Sequence, residues 1–116
     1  KRDPQFGPMV LVGLGGIFVE IMQDVALAPA PLGVAQAAAL LRQLKAWPLL
    51  AGARGRPPLD VDAVAQVVSR VSHLAVDLED RLSELDINPL LVMPRGGGVV
   101  AVDARATLSQ SAGATA

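Results

Sequence analysis

A chain of 116 residues is long enough for one domain with a modest core. Its formal net charge of −1 and its aromatic content of 3% leave no basic surface and few stacking side chains, so neither nucleic acid nor a membrane is an expected partner. The absence of cysteine excludes disulfides and thiolate chemistry and agrees with a cytoplasmic location. No apolar run reaches the length of about 18 residues that a membrane-spanning helix requires.

The first quarter of the chain predicts short strands. Residues 1–8 carry charge, proline and glycine and are typical of a loop. Three apolar runs that contain β-branched residues follow at 9–13, 17–22 and 25–28, and the first two flank a glycine turn, which is the pattern of a hairpin. The turn has no lysine of the kind found in a Walker motif, and no helix is predicted after it. It therefore does not predict a phosphate loop. Glu20 in the second run is either a site residue or a solvated side chain.

Two helices are predicted after these strands. Residues 33–44 are rich in alanine and leucine at helical spacing, and Trp47 and the proline after it are expected to stop that helix. The second helix is expected to begin after Asp60, a typical N-cap. Its predicted apolar face consists of Ala63, Val64, Val67, Val68, Val71, Leu74 and Ala75. His73 lies alone on this helix and is interpreted as structural.

A basic loop at residues 52–58 separates the two helices. Its guanidinium groups at Arg54 and Arg56 suit a bidentate contact with a phosphate or a carboxylate. A solvated connection is the other interpretation of such a loop.

Residues 83–103 are the most informative segment, and they predict a β-hairpin with one polar face. Glu84, Asp86 and Asn88 alternate with aliphatic residues, so a strand places these three oxygen-bearing side chains on one side. A proline- and glycine-rich turn at 94–98 separates this strand from the apolar run that ends at Asp103.

The register of this hairpin decides which polar residues meet. A two-residue loop at Arg95 and Gly96 places Asn88 opposite Asp103. Glu84 and Asp86 then share their face, and such hard oxygen atoms suit a magnesium ion that is shared with phosphates. The alternation is also typical of a hairpin that has one wet face and binds nothing.

Three blocks of the chain, in the same order, resemble NDP-forming acyl-CoA synthetases, the relatives of the succinyl-CoA synthetase β subunit. They are DPQFGPMVLVGLGGIFVEIMQDVALAPAPL at 3–32, LLAGARGRPPLDVDAVAQVVSRVSHLA at 49–75, and ELDINPLLV with AVDAR at 84–105. The resemblance extends to about Leu108 and implies the C-terminal lobe of an ATP-grasp domain at 1–108, followed by a flexible tail at 109–116. The expected fold class is α+β, a mostly antiparallel sheet with helices packed on one face. Because the chain also lacks an initiating methionine, we expect it to be part of a longer protein.

The resemblance also implies roles for single residues. Asn88 and Asp103 match the magnesium-binding positions of the family, and Asp86 matches the acidic residue beside the incoming phosphohistidine. Glu84 shares their face and is expected to orient a ligand or a metal-bound water. Glu20 lies in a block that belongs to the nucleotide site of the family, and Arg54 lies in a G-x-R-G pattern that the family also carries. Both residues are expected to bind the cofactor.

The implied reaction converts acyl-CoA, ADP and phosphate into acid, CoA and ATP, with Mg²⁺ as cofactor. The expected partners are CoA-binding and phosphohistidine-bearing modules, on the same chain or on another subunit, in a homo- or hetero-oligomer. The fragment alone is therefore expected to be inactive. One departure from the family pattern is that Ala28 replaces an arginine and Pro29 replaces a strand residue. This departure favours the alternative of a non-catalytic or regulatory ATP-grasp module, for example one fused to a lysine acetyltransferase.

Overall fold

A computed structural model describes residues 1–3, 7–13, 24–53 and 55–109 of the chain. Its elements in chain order are β1 (Arg2–Asp3), β2 (Gly7–Gly13), β3 (Val25–Pro29), α1 (Val34–Arg42), α2 (Trp47–Ala51), α3 (Val61–Asp77), β4 (Leu82–Ile87), β5 (Leu90–Val92), β6 (Val99–Ala101) and β7 (Ala104–Leu108). The ladders between these strands are antiparallel, which confirms the α+β class. Several predictions fall outside the described residues: the strand at 17–22, Glu20, Arg54 and residues 110–116 of the tail. Ser109, the described residue of that tail, donates its N–H to the Arg81 carbonyl at 2.6 Å.

The first sheet has the strand order β1, β2, β3. Val10 and Ala26 on neighbouring strands are buried, whereas Leu11 and Leu27 are exposed, because alternate residues of a strand face opposite sides of the sheet. Two expectations for this region are wrong in detail. Residues 2 and 3 form β1 and residues 7 and 8 belong to β2, although 1–8 was expected to be a loop. Pro29 is the last residue of β3, opposite Met9. A proline is tolerated at a strand end because few ladder bonds depend on its missing N–H.

Helices α1 and α3 pack against each other, and their buried residues form one apolar core with the first sheet. Its buried members are Val10, Ala26, Leu32, Ala37, Leu40, Leu41, Leu44, Val64, Ala65 and Val68. Strands β5 and β6 also contribute to this core, since Leu90, Val92 and Val99 are partly buried against it. No helix among the described residues has the length and apolar character needed to cross a membrane.

The segment after α1 forms a short helix that the sequence pattern did not predict. Helix α1 ends at Arg42, and Trp47 begins α2, whose second residue is Pro48. Proline suits the first turn of a helix because its missing N–H has no partner there. The Trp47–Pro48 pair therefore starts a new helix and does not stop the previous one.

The buried face of α3 includes serines. Ser69 and Ser72 are buried, whereas Leu74 is 42% exposed, so the predicted apolar face is wrong at Leu74 and omitted both serines. The Ser69 hydroxyl donates to the Leu32 carbonyl at 2.7 Å, and the Leu32 N–H donates to the Ser72 hydroxyl at 2.8 Å. Both backbone groups of Leu32 are thereby satisfied, which fixes the connection between β3 and α1 on α3.

Candidate functional site

The hairpin of residues 82–108 has the predicted register. Val92 lies opposite Val99 in the β5–β6 ladder, and Ile87 lies opposite Ala104 in the β4–β7 ladder. Between the two ladders the Asn88 N–H donates to the Asp103 carbonyl at 3.0 Å, so these two residues face each other as expected. The strand is interrupted at Asn88 because Pro89, which follows it, has no N–H for the ladder.

Glycines close this hairpin at its tip. The Gly97 N–H donates to the Pro94 carbonyl at 2.8 Å, which makes Arg95 and Gly96 the two central residues of the turn. Gly96 has a φ of +85°, a conformation that a β-turn of type II requires at this position and that favours glycine. The turn chemistry therefore accounts for the register of the whole hairpin.

The register brings Asp86, Asn88 and Asp103 to one cavity. This cavity has a volume of about 210 Å³, and Ala104 and Arg105 complete its lining. All three side chains are exposed, and each can offer an oxygen atom. Oδ1 of Asp103 accepts a hydrogen bond from the Ala104 N–H at 2.9 Å, so Oδ2 is the oxygen available to a ligand.

Glu84 lies beside this cavity but does not line it. It is exposed on β4, as the predicted alternation requires, and it faces Thr107 across the ladder. Its side chain lines a neighbouring groove of about 230 Å³ that runs between β2, β4 and α3. Asp86 borders both the groove and the cavity.

The donor set of the cavity fits Mg²⁺. Two carboxylates and one amide carbonyl are hard oxygen ligands, and Mg²⁺ is commonly held by one or two carboxylates together with waters and phosphate oxygens. The described residues contain no group of three or more His, Cys, Asp or Glu side chains that would enclose a metal on protein ligands alone. Asn88 and Asp103, with Asp86 beside them, are therefore the residues that would hold a magnesium ion shared with a phosphate ligand.

Asp60 connects the hairpin tip to α3. It is the N-cap of this helix and accepts from the Ala63 N–H at 3.2 Å, while its other oxygen accepts from the Gly98 N–H at 2.7 Å. The hydrogen bond from the Gly98 backbone, followed by that from Ala63, holds the pKa of Asp60 below its ordinary value. The predicted N-cap is confirmed, and it has a second role that the sequence pattern did not indicate.

The structure adds Arg105 to the candidate residues. It lies opposite Asp86 in the β4–β7 ladder and lines the same cavity. Sequence reasoning assigned it no role, although the predicted register already placed it next to Asp86. His73 is separate from the site, because its Nδ1 lies 2.8 Å from the Ser69 carbonyl, to which a protonated Nδ1 donates, within its own helix.

Comparison with known proteins agrees with the resemblance seen in the sequence. The model of the ATP-grasp domain family matches residues 1–108. The β subunit of an ADP-forming acetate–CoA ligase of Pyrococcus furiosus is 46% identical over 107 residues, which are 92% of this chain and 45% of that subunit. The chain thus spans somewhat less than half the length of this relative.

Solved structures show the same fold. A protein of Pyrococcus horikoshii superposes with a TM-score of 0.89 at 43% identity, over 95% of this chain and 46% of that one. An acetyl-CoA synthetase of Candidatus Korarchaeum cryptofilum, in complex with coenzyme A and Mg-AMPPCP, superposes with a TM-score of 0.85 at 42% identity, over 93% of this chain and 49% of that one. Its phosphohistidine segment points towards the nucleotide-binding site. The family match, the identity and the shared fold together show that this chain belongs to the ATP-grasp domain family.

Proposed function

We propose that the protein containing this chain is an ADP-forming acyl-CoA ligase, and that this chain provides part of its nucleotide and phosphoryl-transfer site. The observation that carries the proposal is the hairpin register, which gathers Asp86, Asn88 and Asp103 at one cavity in a chain that resembles acetate–CoA ligase β subunits. The overall reaction is the reversible conversion of acyl-CoA, ADP and phosphate into acid, CoA and ATP.

The step assigned to this cavity moves a phosphoryl group between a phosphohistidine and ADP. Towards ATP, the bond between phosphorus and the imidazole nitrogen breaks, and a bond from a β-phosphate oxygen of ADP to phosphorus forms. The imidazole nitrogen keeps the electron pair of the broken bond and takes up a proton. Such a transfer depends mainly on positioning and on the stabilisation of charge, so the protein needs no covalent chemistry of its own here.

Asn88 and Asp103 are proposed to hold the metal through the amide oxygen and through Oδ2. A magnesium ion held by these two oxygens would offset the negative charge that develops during transfer. The hydrogen bond from the Asn88 N–H to the Asp103 carbonyl keeps the two strands in register. The backbone atoms that carry the two side chains are therefore held opposite each other.

Asp86 is proposed as the residue that meets the incoming phosphohistidine. An imidazole N–H directed at its carboxylate is oriented by a charge-assisted hydrogen bond, and the negative charge stabilises the imidazole as it gains a proton. Glu84 borders the adjoining groove and is proposed to orient a ligand or a metal-bound water from there. Glu20 and Arg54 are proposed to bind the nucleotide, on the strength of the family resemblance.

The same proposal covers the rest of the molecule. Residues 1–108 are proposed to be the C-terminal lobe of the ATP-grasp domain. CoA-binding and phosphohistidine-bearing modules, on this polypeptide or on a partner subunit, complete the enzyme in a homo- or hetero-oligomer. A cytoplasmic location is proposed because CoA and nucleotides are its substrates and the chain has no cysteine.

A regulatory module is the second candidate function. It is supported by Ala28, which stands where related sequences carry an arginine and which packs against the core on β3. A chain without this guanidinium lacks a group that binds two oxygens of a substrate phosphate at once. In that case the intact protein binds nucleotide but forms no ATP.

The test is the formation of ATP from ADP by the intact protein with acyl-CoA, phosphate and Mg²⁺. Asn88→Ala and Asp103→Ala are expected to lower kcat/KM by about a hundredfold or more, because each removes an oxygen that holds the metal. Asp80→Ala is the control, since it removes an exposed carboxylate that lies before β4, outside both the cavity and the groove, and is expected to leave turnover nearly unchanged.

Three outcomes separate the candidate functions. Strong losses in both cavity variants support the phosphoryl-transfer site. Variants as active as the parent show that the metal assignment is wrong. A folded parent that binds Mg-nucleotide but is inactive towards a range of acyl-CoAs supports the regulatory module.

A further inference from the structure

We infer that Arg105 binds the phosphoryl group that is transferred at this cavity, both as the γ-phosphate of ATP and as the phosphoryl group of the phosphohistidine. The inference rests on the proposed function and adds a binding residue to it. It starts from the position of Arg105, which lies directly opposite Asp86 in the β4–β7 ladder and lines the cavity next to Asp103.

The Arg105 guanidinium is available to a ligand. Arginine and aspartate directly opposite each other in an antiparallel ladder commonly form an ion pair. Among the described residues, however, the structure shows no ion pair or hydrogen bond for the side chains of Arg105 and Asp86. Both residues are exposed at the cavity, so neither charge is neutralised by the fold itself.

The charge balance of the cavity explains why a cation is useful there. Asp86, Asp103 and Arg105 give the lining a formal charge of −1, from two carboxylates and one guanidinium. A magnesium ion raises this charge to +1, which attracts a phosphoryl dianion. Without the guanidinium, the cavity with its magnesium ion is neutral. No positive side chain beside Asp86 then offsets the repulsion between its carboxylate and the phosphoryl oxygens.

Geometry favours arginine for this task. Its planar guanidinium presents two parallel N–H groups that match two oxygens of one phosphoryl group, whereas lysine offers a point charge. Asn88 and Asp103 would hold the metal on one side of the cavity. Arg105 follows Ala104 on β7 and lies opposite Asp86. It therefore contacts the phosphoryl oxygens from the side of the cavity that carries Asp86.

The experiment compares the binding of two nucleotides to the intact protein by titration calorimetry in the presence of Mg²⁺. AMPPCP carries a γ-phosphate that is not transferred, and ADP lacks this group. Arg105→Gln is expected to weaken AMPPCP binding by about tenfold to a hundredfold, the range for losing a charge-assisted hydrogen bond. ADP binding is expected to change by less than about threefold, which also shows that the variant is folded. Arg105→Lys is expected to recover part of the AMPPCP affinity.

Arg70→Gln is the matched control. It removes an exposed guanidinium from α3, outside the cavity, and is expected to leave both affinities unchanged. Equal losses for AMPPCP and ADP in Arg105→Gln, or no loss for either, overturn the inference.

The outcomes also separate this inference from the proposed function. If the unmodified protein binds neither nucleotide, both are wrong. If it binds both and Arg105→Gln loses AMPPCP selectively, while the protein forms no ATP, Arg105 binds the γ-phosphate as inferred, but the ligase assignment and the transfer are wrong.

Discussion

Asp24 is a buried acidic residue whose role is structural. It is only 2% exposed, and its two carboxylate oxygens accept hydrogen bonds from the Lys45 N–H at 2.6 Å and the Ala46 N–H at 2.9 Å. These N–H groups lie between α1 and α2, in a segment with no ladder or helix to satisfy them. A buried charge is tolerated because both of its oxygens are occupied. Asp24 therefore holds the start of β3 against the connection between the two helices.

Asp24→Ala is expected to lower the free energy of unfolding by about 2–4 kcal/mol, because two part-buried N–H groups lose their acceptors. Asp24→Asn keeps one acceptor and is expected to cost less. Urea denaturation followed by circular dichroism measures both effects. Asp77→Ala, which removes an exposed carboxylate from the end of α3, is the control. A loss no larger than that of the control would falsify the role given to Asp24.

The tip of the hairpin is attached to the segment before α3 at several points. The Asp60 N–H donates to the Met93 carbonyl at 2.7 Å, and the Arg95 N–H donates to the Pro58 carbonyl at 3.0 Å. The carboxylate of Asp60 adds a third contact, to the Gly98 N–H. One N-cap residue thus orders both a helix start and a hairpin turn, and this attachment limits the movement of the strands that carry the cavity residues.

The Asp60 contacts are expected to depend on pH. Because the pKa of Asp60 is lower in the folded state, its ionised form stabilises the fold fully above the unfolded pKa of about 3.9. This stabilisation is lost as the pH falls through the lower folded pKa, because the unfolded state takes up the proton first. The Gly98 amide, followed by hydrogen exchange, is expected to be protected at neutral pH and to lose protection in Asp60→Ala.

Asp62→Ala is the control for this experiment, since Asp62 is exposed in the first turn of the same helix. The difference in stability between the parent and Asp60→Ala is expected to shrink below pH of about 4. A difference that stays constant down to pH 2, or unchanged protection of the Gly98 amide, contradicts the proposed link.

The molecule as a whole presents its candidate site on an open surface. Asp86, Asn88 and Asp103 are all exposed, and every residue of β7 is exposed as well. Phosphoryl transfer needs a site that excludes water, because water competes with the acceptor and weakens electrostatic stabilisation. The chain spans 45% of the P. furiosus β subunit, so the enclosure is expected to come from the rest of the protein.

The isolated chain is therefore expected to form no ATP from acyl-CoA, ADP, phosphate and Mg²⁺. The intact protein, assayed in parallel, provides the positive control, and circular dichroism shows whether the isolated chain is folded. Turnover by the isolated chain at a rate comparable with the intact protein would show that the cavity works without enclosure.

Local chemistry made the hairpin predictable. The period of two in Glu84, Asp86 and Asn88, and the glycines that follow Pro94, specify strand faces and a turn within a few residues of each other. The same holds for the N-cap at Asp60, because capping involves only the first turn of a helix. These features led to the correct register and hence to the opposition of Asn88 and Asp103.

Features that depend on contacts between distant segments were not visible in the sequence. Leu32, whose N–H donates to the Ser72 hydroxyl, lies 40 positions away, and the two N–H groups that donate to Asp24 lie 21 and 22 positions away. A serine or an aspartate gives no sign of burial until another segment packs over it. For the same reason the apolar face predicted for α3 included Leu74 and missed the serines. Arg105 became a candidate only when the structure showed that it lines the cavity, although the predicted register already placed it opposite Asp86. Periodicity thus determines the elements and their faces, whereas packing determines which polar groups are buried, paired or left open for binding.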